Sequence, residues 1–183
     1  MDIPLLQEPR AVISARDKWQ YNGRQRPPFA DPVSEGQESV WDFPRPPAIE
    51  RVEPALEVRH GDKVIAATRG GVRVLETAGA PTYYFPPEDV DMAIVKTGDV
   101  VSLCEWKGAA QSLLIDGDEI GWRYAQMFPA FKDLYLWPSF YPAKVACFVG
   151  TEAVKPQPGG FYGGWVTSNL VGPIKGVPGS AGW

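Results

Sequence analysis

Cys104-Glu105-Trp106-Lys107-Gly108 puts a thiol, a carboxylate and an amine into five consecutive positions. A lysine in such a place can hold a carboxylate or phosphate, and a thiol can act as nucleophile or redox group. Strand alternation places Ser102, Cys104 and Trp106 on one face and Val101, Leu103 and Glu105 on the other. Lys107-Gly108 breaks that alternation and predicts a bulge, a device that re-aims side chains. The plainer reading is a small core thiol, since free cysteine is commonly buried, and a solvated lysine; for Cys104 that plainer reading is favoured, and for Lys107 both stand.

A second group spans Arg69 to Thr77. Val72, Val74 and Glu76 share one face, and Arg73, Leu75 and Thr77 the other. One charged residue must then sit among apolar neighbours and needs a partner; for Glu76 that partner is expected to be Arg69 or Arg73. Arg69, Glu76 and Lys107 together would suit a small anion. Arg69 and Lys107 would hold it, and Glu76 would act as acid/base or orient Arg69. A structural ion pair is the alternative. Tyr84 and Tyr141 would stack on a planar ligand or donate hydrogen bonds. The candidate catalytic residues are thus Glu76, Cys104 and Lys107, and the candidate ligand-binding residues Arg69, Tyr84, Lys107 and Tyr141.

Other motifs point to structure. Glu88 and Asp89 fit the first turn of a helix, against its dipole. Asp116-Gly117-Asp118-Glu119 lacks the twelve-residue spacing of a calcium loop and reads as a hairpin. Lys175-Gly176 belongs to no phosphate-binding loop. His60, the single histidine, stands beside Gly61-Asp62 and reads as a surface turn residue. Cys104 and Cys147 are the only cysteines, far apart and in no CxxC, so no zinc pattern is present and no metal or cofactor is expected.

Short strands must position these groups. Leu56–His60, Lys63–Thr68, Val72–Thr77, Tyr83–Phe85, Asp99–Trp106, Gln111–Ile115, Glu119–Tyr124, Tyr135–Phe140 and Lys144–Val149 are β-branched or alternating runs bounded by Gly, Pro and Asp. Helix is expected only at Ser14–Trp19, with Ser14 as N-cap, at Glu88–Val95 as a turn, and at Tyr124–Leu134 despite Pro129. The fold class is mainly β: one antiparallel domain over residues 38–150, with an arm at 1–37 and a Gly/Pro/aromatic-rich extension at 151–183. Trp19, Tyr21 and Phe29 are expected to anchor the arm. Phe161, Tyr162, Trp165 and Trp183 are expected to pack the extension against the sheets.

The composition limits the function classes. Of 183 residues, 44% are hydrophobic and 22% charged, which is ordinary for a globular chain. Gly and Pro, at 19 each, favour turns over long helices. The net charge of −4 lacks the basic excess that binding a nucleic acid would require. No apolar run reaches the ~20 residues of a membrane helix, and the first residues lack a signal-peptide pattern. Unpaired cysteines fit a reducing compartment, so the expected location is cytoplasmic.

Five motifs occur in a fixed order: ESVWDFPRPP (38–47), RVLET (73–77), YYFPPEDV (83–90), CEWKG (104–108) and SFYPAKV (139–145). Together they resemble the bacterial family known as domain of unknown function 427, over residues 38–150. WQYNGRQRPPFA (19–30) and GGFYGGWVT (159–167) resemble segments of a longer subgroup. The resemblance implies a β-tent-like fold, shared with methionine sulfoxide reductase B and a zinc-binding Rab chaperone. The CxxC pairs of those proteins are missing here. A nucleotidyltransferase label is attached to the family, yet no Gly-Ser pair followed by paired strand aspartates is present. Two function classes therefore remain: a small-anion pocket, with or without catalysis, and a non-catalytic interaction module or homodimer.

Overall fold

The computed structural model describes residues 2–183. Helix α1 (Arg10–Arg16) precedes β1 (Glu38–Ser39) and β2 (Ala48–Arg51). Then come β3 (Leu56–His60), β4 (Lys63–Thr68), β5 (Val72–Leu75) and β6 (Thr82–Tyr84). Three longer strands follow: β7 (Lys96–Cys104), β8 (Gly108–Ile115) and β9 (Asp118–Met127). After them come β10 (Ser139–Phe140) and β11 (Ala146–Val149), and then the two-residue strands β12 (Glu152–Ala153), β13 (Lys155–Pro156), β14 (Trp165–Val166) and β15 (Leu170–Val171).

The architecture is mainly β. Two four-stranded antiparallel sheets run β10-β9-β8-β7 and β12-β11-β3-β4, and a three-stranded antiparallel sheet runs β2-β5-β6. β13 pairs antiparallel with β14, while β1 and β15 make a short parallel pair. None of these sheets closes into a barrel. Among the described residues, no helix is long and apolar enough to cross a membrane.

Alternation along the strands feeds two larger cores, beside a smaller cluster of Val40, Trp41, Phe43, Leu75 and Ala78. Leu56, Val58, Ile65, Tyr83, Phe85, Leu113, Ile115 and Phe140 fill the first. Val74, Tyr84, Trp122, Tyr124, Met127 and Phe131 fill the second. Tyr83 and Tyr84 are neighbours on β6 and so point to opposite faces. Tyr83 stacks on Trp165 at 4.8 Å, while the Tyr84 ring meets Trp122 edge-on at 6.2 Å. Asp116 and Gly117 both have positive φ, 52° and 92°, as the two-residue turn joining β8 to β9 requires.

Several elements differ from the sequence expectation. The helix in the arm starts at Arg10, with the Pro9 carbonyl accepting from Val12 and Ile13 N–H, so Ser14 lies inside it and caps nothing. Tyr124–Leu134 is not a helix. β9 continues to Met127 because β8 offers it a ladder partner as far as Gly108. Pro129 then opens a 3₁₀ turn at Pro129–Leu134, where its missing N–H costs nothing. Of Tyr135–Phe140 only the last two residues form a strand, against Trp122 and Gly121, while Tyr135 makes an isolated parallel bridge to Tyr124. Glu88 and Asp89 sit in a 3₁₀ turn of three residues, Pro87–Asp89.

The arm and the extension lie on the body. Tyr21, Phe29, Trp41 and Trp183 form one aromatic cluster, with Phe29 stacked on Trp183 at 5.2 Å. Trp165 is fully buried and donates from Nε1 to the Phe140 carbonyl at 2.9 Å. Phe161 departs from expectation: it is 81% exposed and touches only Tyr162 among the rings.

Candidate functional site

β7 and β8 form a hairpin whose reversal is Glu105-Trp106-Lys107, with Cys104 paired to Gly108 across its mouth. The expected bulge at Lys107-Gly108 is therefore a tight turn. The register shifts lie elsewhere, between Thr97 and Ser102, at Ala109/Ala110 and at Leu113/Leu114. Gly108 has φ +132°, and a Cβ there would stand 2.1 Å from the Gln126 carbonyl oxygen. Only glycine lets the turn close onto β9. Phe128 N–H donates to the Lys107 carbonyl at 2.9 Å, which fixes the turn from the other side. The Lys107 side chain faces inward. The residue is 6% exposed, and its amine lies 5.8 Å from the Phe131 ring centroid.

Three further groups surround that amine. Cys104, Tyr84 and Glu76 are its electrostatic neighbours. Tyr84 arrives by alternation on β6. Glu76 arrives by alternation just beyond β5, continuing the stripe that Val74 plants in the second core. Burial alone would push Lys107 down, but Cys104, Tyr84 and Glu76 outweigh it and hold the lysine above its ordinary value. The Tyr124 phenol faces Cys104 and Tyr84, and burial, reinforced by both neighbours, pushes it well up. Tyr84 is raised by burial, with Lys107 opposing. Both phenols are neutral hydrogen-bond donors at neutral pH.

The partner of Glu76 is Arg45, not Arg69 or Arg73. Arg45 Nε stands 3.3 Å from Glu76 Oε1, with the two side chains 4% and 29% exposed. The contact is ionic but off the line of a hydrogen bond, so this buried N–H has no acceptor among the described residues. The other guanidinium nitrogens donate to the Tyr21 and Thr77 carbonyls, both at 2.9 Å. Burial pulls Arg45 down, and Glu76 opposes it.

Trp19 brings the arm to the same place. Its ring centroid lies 4.5 Å from the Arg45 guanidinium carbon and 3.6 Å from Lys175 Nζ. Its Nε1 donates to Glu105 Oε1 at 2.6 Å. Lys175 is buried and donates to the Trp183 main-chain oxygen at 2.8 Å. Burial and then Arg45 push it down to about 8, while Glu76 and Glu105 pull the other way. Tyr162 stands 5.9 Å from the same amine.

Glu76, Tyr84, Cys104 and Lys107, picked out from sequence, are therefore brought together, and Arg69 is not. Arg69 is exposed and lines a surface cleft of about 520 Å³ with Glu57, Arg59, Thr68 and Phe148. The turn after β4 carries it there, away from the Lys107 hairpin. Arg73 points outward to Glu38 and Glu50. Tyr141 is one ring removed: it packs on Trp122 at 4.7 Å, and Trp122 in turn meets Tyr84. Burial pushes Tyr141 up to about 12. The expected Tyr84–Tyr141 platform is thus split by an indole.

The family model described as Domain of unknown function (DUF427) matches residues 48–151, more than half of the chain. The chain belongs to the DUF427 family. No curated protein matches it. In this DUF427 protein, Glu76, Tyr84, Cys104, Lys107 and Tyr124 lie inside the matched region. Trp19, Arg45, Tyr162 and Lys175 lie outside it. Sequence reasoning missed Arg45, Tyr124 and Lys175 as site residues. Arg45 carried a usable signal, a five-donor side chain locked between Pro44 and Pro46. Tyr124 stands where the expected return strand Glu119–Tyr124 meets the expected helix, so its facing is not legible, and Lys175 has no signal beyond its charge.

Proposed function

We propose that this DUF427 protein binds a small anionic molecule at the cluster of Glu76, Lys107, Arg45 and Lys175. One observation carries the reading. Three cationic side chains are buried here against two carboxylates, Glu76 and Glu105, and only Arg45 makes an ion pair with either. Buried charge is costly unless compensated. An incoming anion would take the free donor at Arg45 Nε and the charge of Lys107, and neutral Tyr84 and Tyr124 would add hydrogen bonds. Glu76, 29% exposed, stands on the open side.

A thermal-shift panel of phosphate, acetate, glyoxylate and nucleotides tests this reading. A ligand at 100 times its Kd adds about 2.7 kcal/mol, so Tm should rise by roughly 5–10 °C. The rise should vanish in Lys107→Met and shrink in Arg45→Gln, provided both melt cooperatively. Equal shifts in wild type and both variants would move binding away from this cluster.

A second reading rests on a different feature. β7 is the edge of its sheet, and Val100, Val101 and Leu103 on it are each more than half exposed. An open apolar edge invites strand pairing, which favours a homodimer formed along β7.

A further inference from the structure

We propose that Cys104 is a nucleophile that adds reversibly to the carbonyl carbon of a small oxo acid, with Lys107 and Tyr124 holding the oxygen that results. The inference deepens the anion-binding reading and rests on it for the substrate's carboxylate. Its geometric basis is a constellation of groups. Cys104 closes the mouth of the β7–β8 hairpin and is half-buried, packed against the second core beside Tyr84, Tyr124 and Phe131. Lys107 is more than nine-tenths buried, makes no ion pair with a carboxylate among the described residues, and has Cys104 as its strongest favourable electrostatic neighbour. The Tyr124 and Tyr84 phenols share the same space. Arg45 Nε–H, buried and without a hydrogen-bond acceptor in line, stands 3.3 Å from Glu76, a neighbour it shares with Lys107.

The step balances without a co-reactant. The sulfur electron pair forms a C–S bond to the carbonyl carbon, and the C=O π pair moves onto oxygen. The thiol proton ends on that oxygen, giving a thiohemiacetal in which no group leaves and nothing is oxidised. Donors aimed at the new oxygen stabilise the charge developing there. Here those donors are the Lys107 ammonium and the Tyr124 hydroxyl. The carboxylate of the oxo acid would sit towards Arg45, beside Glu76.

The protein carries its own control. Cys147 is 2% exposed, donates weakly to the Val145 carbonyl and is pushed up by burial, so it should remain unlabelled in the native state. The experiment is alkylation of the native full chain followed by peptide mapping, with iodoacetamide and iodoacetate as probes. Cys104 should label at least tenfold faster than Cys147. Iodoacetate should gain on iodoacetamide, relative to their rates with a free thiol, because the cluster attracts its carboxylate. Lys107→Met should slow both reagents and abolish the gain. Glyoxylate should protect Cys104 from iodoacetamide, and acetate at the same concentration should not.

If Cys104 stays unlabelled in the native protein, the nucleophile is overturned whatever the anions do. Equal protection by acetate and glyoxylate overturns the addition step and leaves the anion site standing. Labelling of Cys104 with no gain for iodoacetate and no protection by either anion overturns both readings. Should Lys107→Met fail to fold, Tyr124→Phe offers a second variant. It should weaken glyoxylate protection several-fold with little change in the iodoacetamide rate. Unchanged protection there would remove Tyr124 from the proposal.

Discussion

Lys107 and Cys147 show how one chain uses burial in opposite ways. Lys107 is enclosed among groups that can neutralise it, so its charge survives inside. Cys147 is enclosed by the first core, where Leu56, Val58 and Val145 offer nothing for a thiolate. Burial therefore pushes its thiol up. The sign follows from linkage. The folded pKa lies above the unfolded value of about 8.5, so the contribution is complete below pH 8.5 and is lost as the pH rises beyond it. Stability of wild type relative to Cys147→Ala should therefore fall by about 1 kcal/mol per pH unit above pH 9, as measured by urea denaturation. Taking the difference cancels the opposing effect of Lys175, whose depressed value adds stability as the pH rises. A flat difference between pH 8 and 10.5 would show that Cys147 reaches solvent.

The β7–β8 hairpin is the element that makes the site. Its alternation is legible in the sequence, and so is the break at Lys107-Gly108. The nature of that break is not, because a bulge and a three-residue reversal leave the same local trace. What decides it is the Gln126 carbonyl on β9, which lies where a Cβ of residue 108 would be. Gly108→Ala combines a positive φ with that clash. It should cost about 3 kcal/mol or more in chemical denaturation, and any surviving fold should lose the Lys107-dependent anion shift. A loss under 1 kcal/mol would mean that the turn can open. The same contrast explains β9. Tyr124 to Met127 has no strong strand period, yet β8 offers partners to Tyr124, Gln126 and Met127 across a register shift, and the ladder overrides local propensity.

At the scale of the whole molecule, the matched family region ends short of the site it helps to build. Arg45 and Trp19 come from before residue 48, and Lys175 and Tyr162 from after residue 151. Both flanking segments are held by rings. Trp41 is fully buried and lies 5.2 Å from each of Tyr21, Phe29 and Trp183. The β7 edge is left open, with Val101 59% exposed. Pairing of two β7 edges is antiparallel and isologous, and one charge on each strand should disrupt it. Size-exclusion chromatography with light scattering should give a dimer for wild type and a monomer for Val101→Lys. A monomeric wild type at micromolar concentration would remove the interaction reading based on this edge.

Sequence alone determined the mainly β class, because short β-branched runs between Gly, Pro and Asp leave little room for helices. It also determined that Glu76 shares a face with Val72 and Val74, since alternation along β5 is local. Nothing local could state which cation would meet Glu76. Arg69 and Arg73 are nearer in the chain, but the turn after β4 and the outward pleat of β5 carry them away. Arg45 reaches Glu76 from 31 positions upstream because the proline-locked segment returns beneath the Thr77 carbonyl. Tertiary packing likewise placed Trp19 and Lys175 beside it, since two cations on one indole are joined by no sequence period. The local rules of strand and turn wrote the frame, and the charges of the site were assembled by contacts that only the folded chain brings within reach.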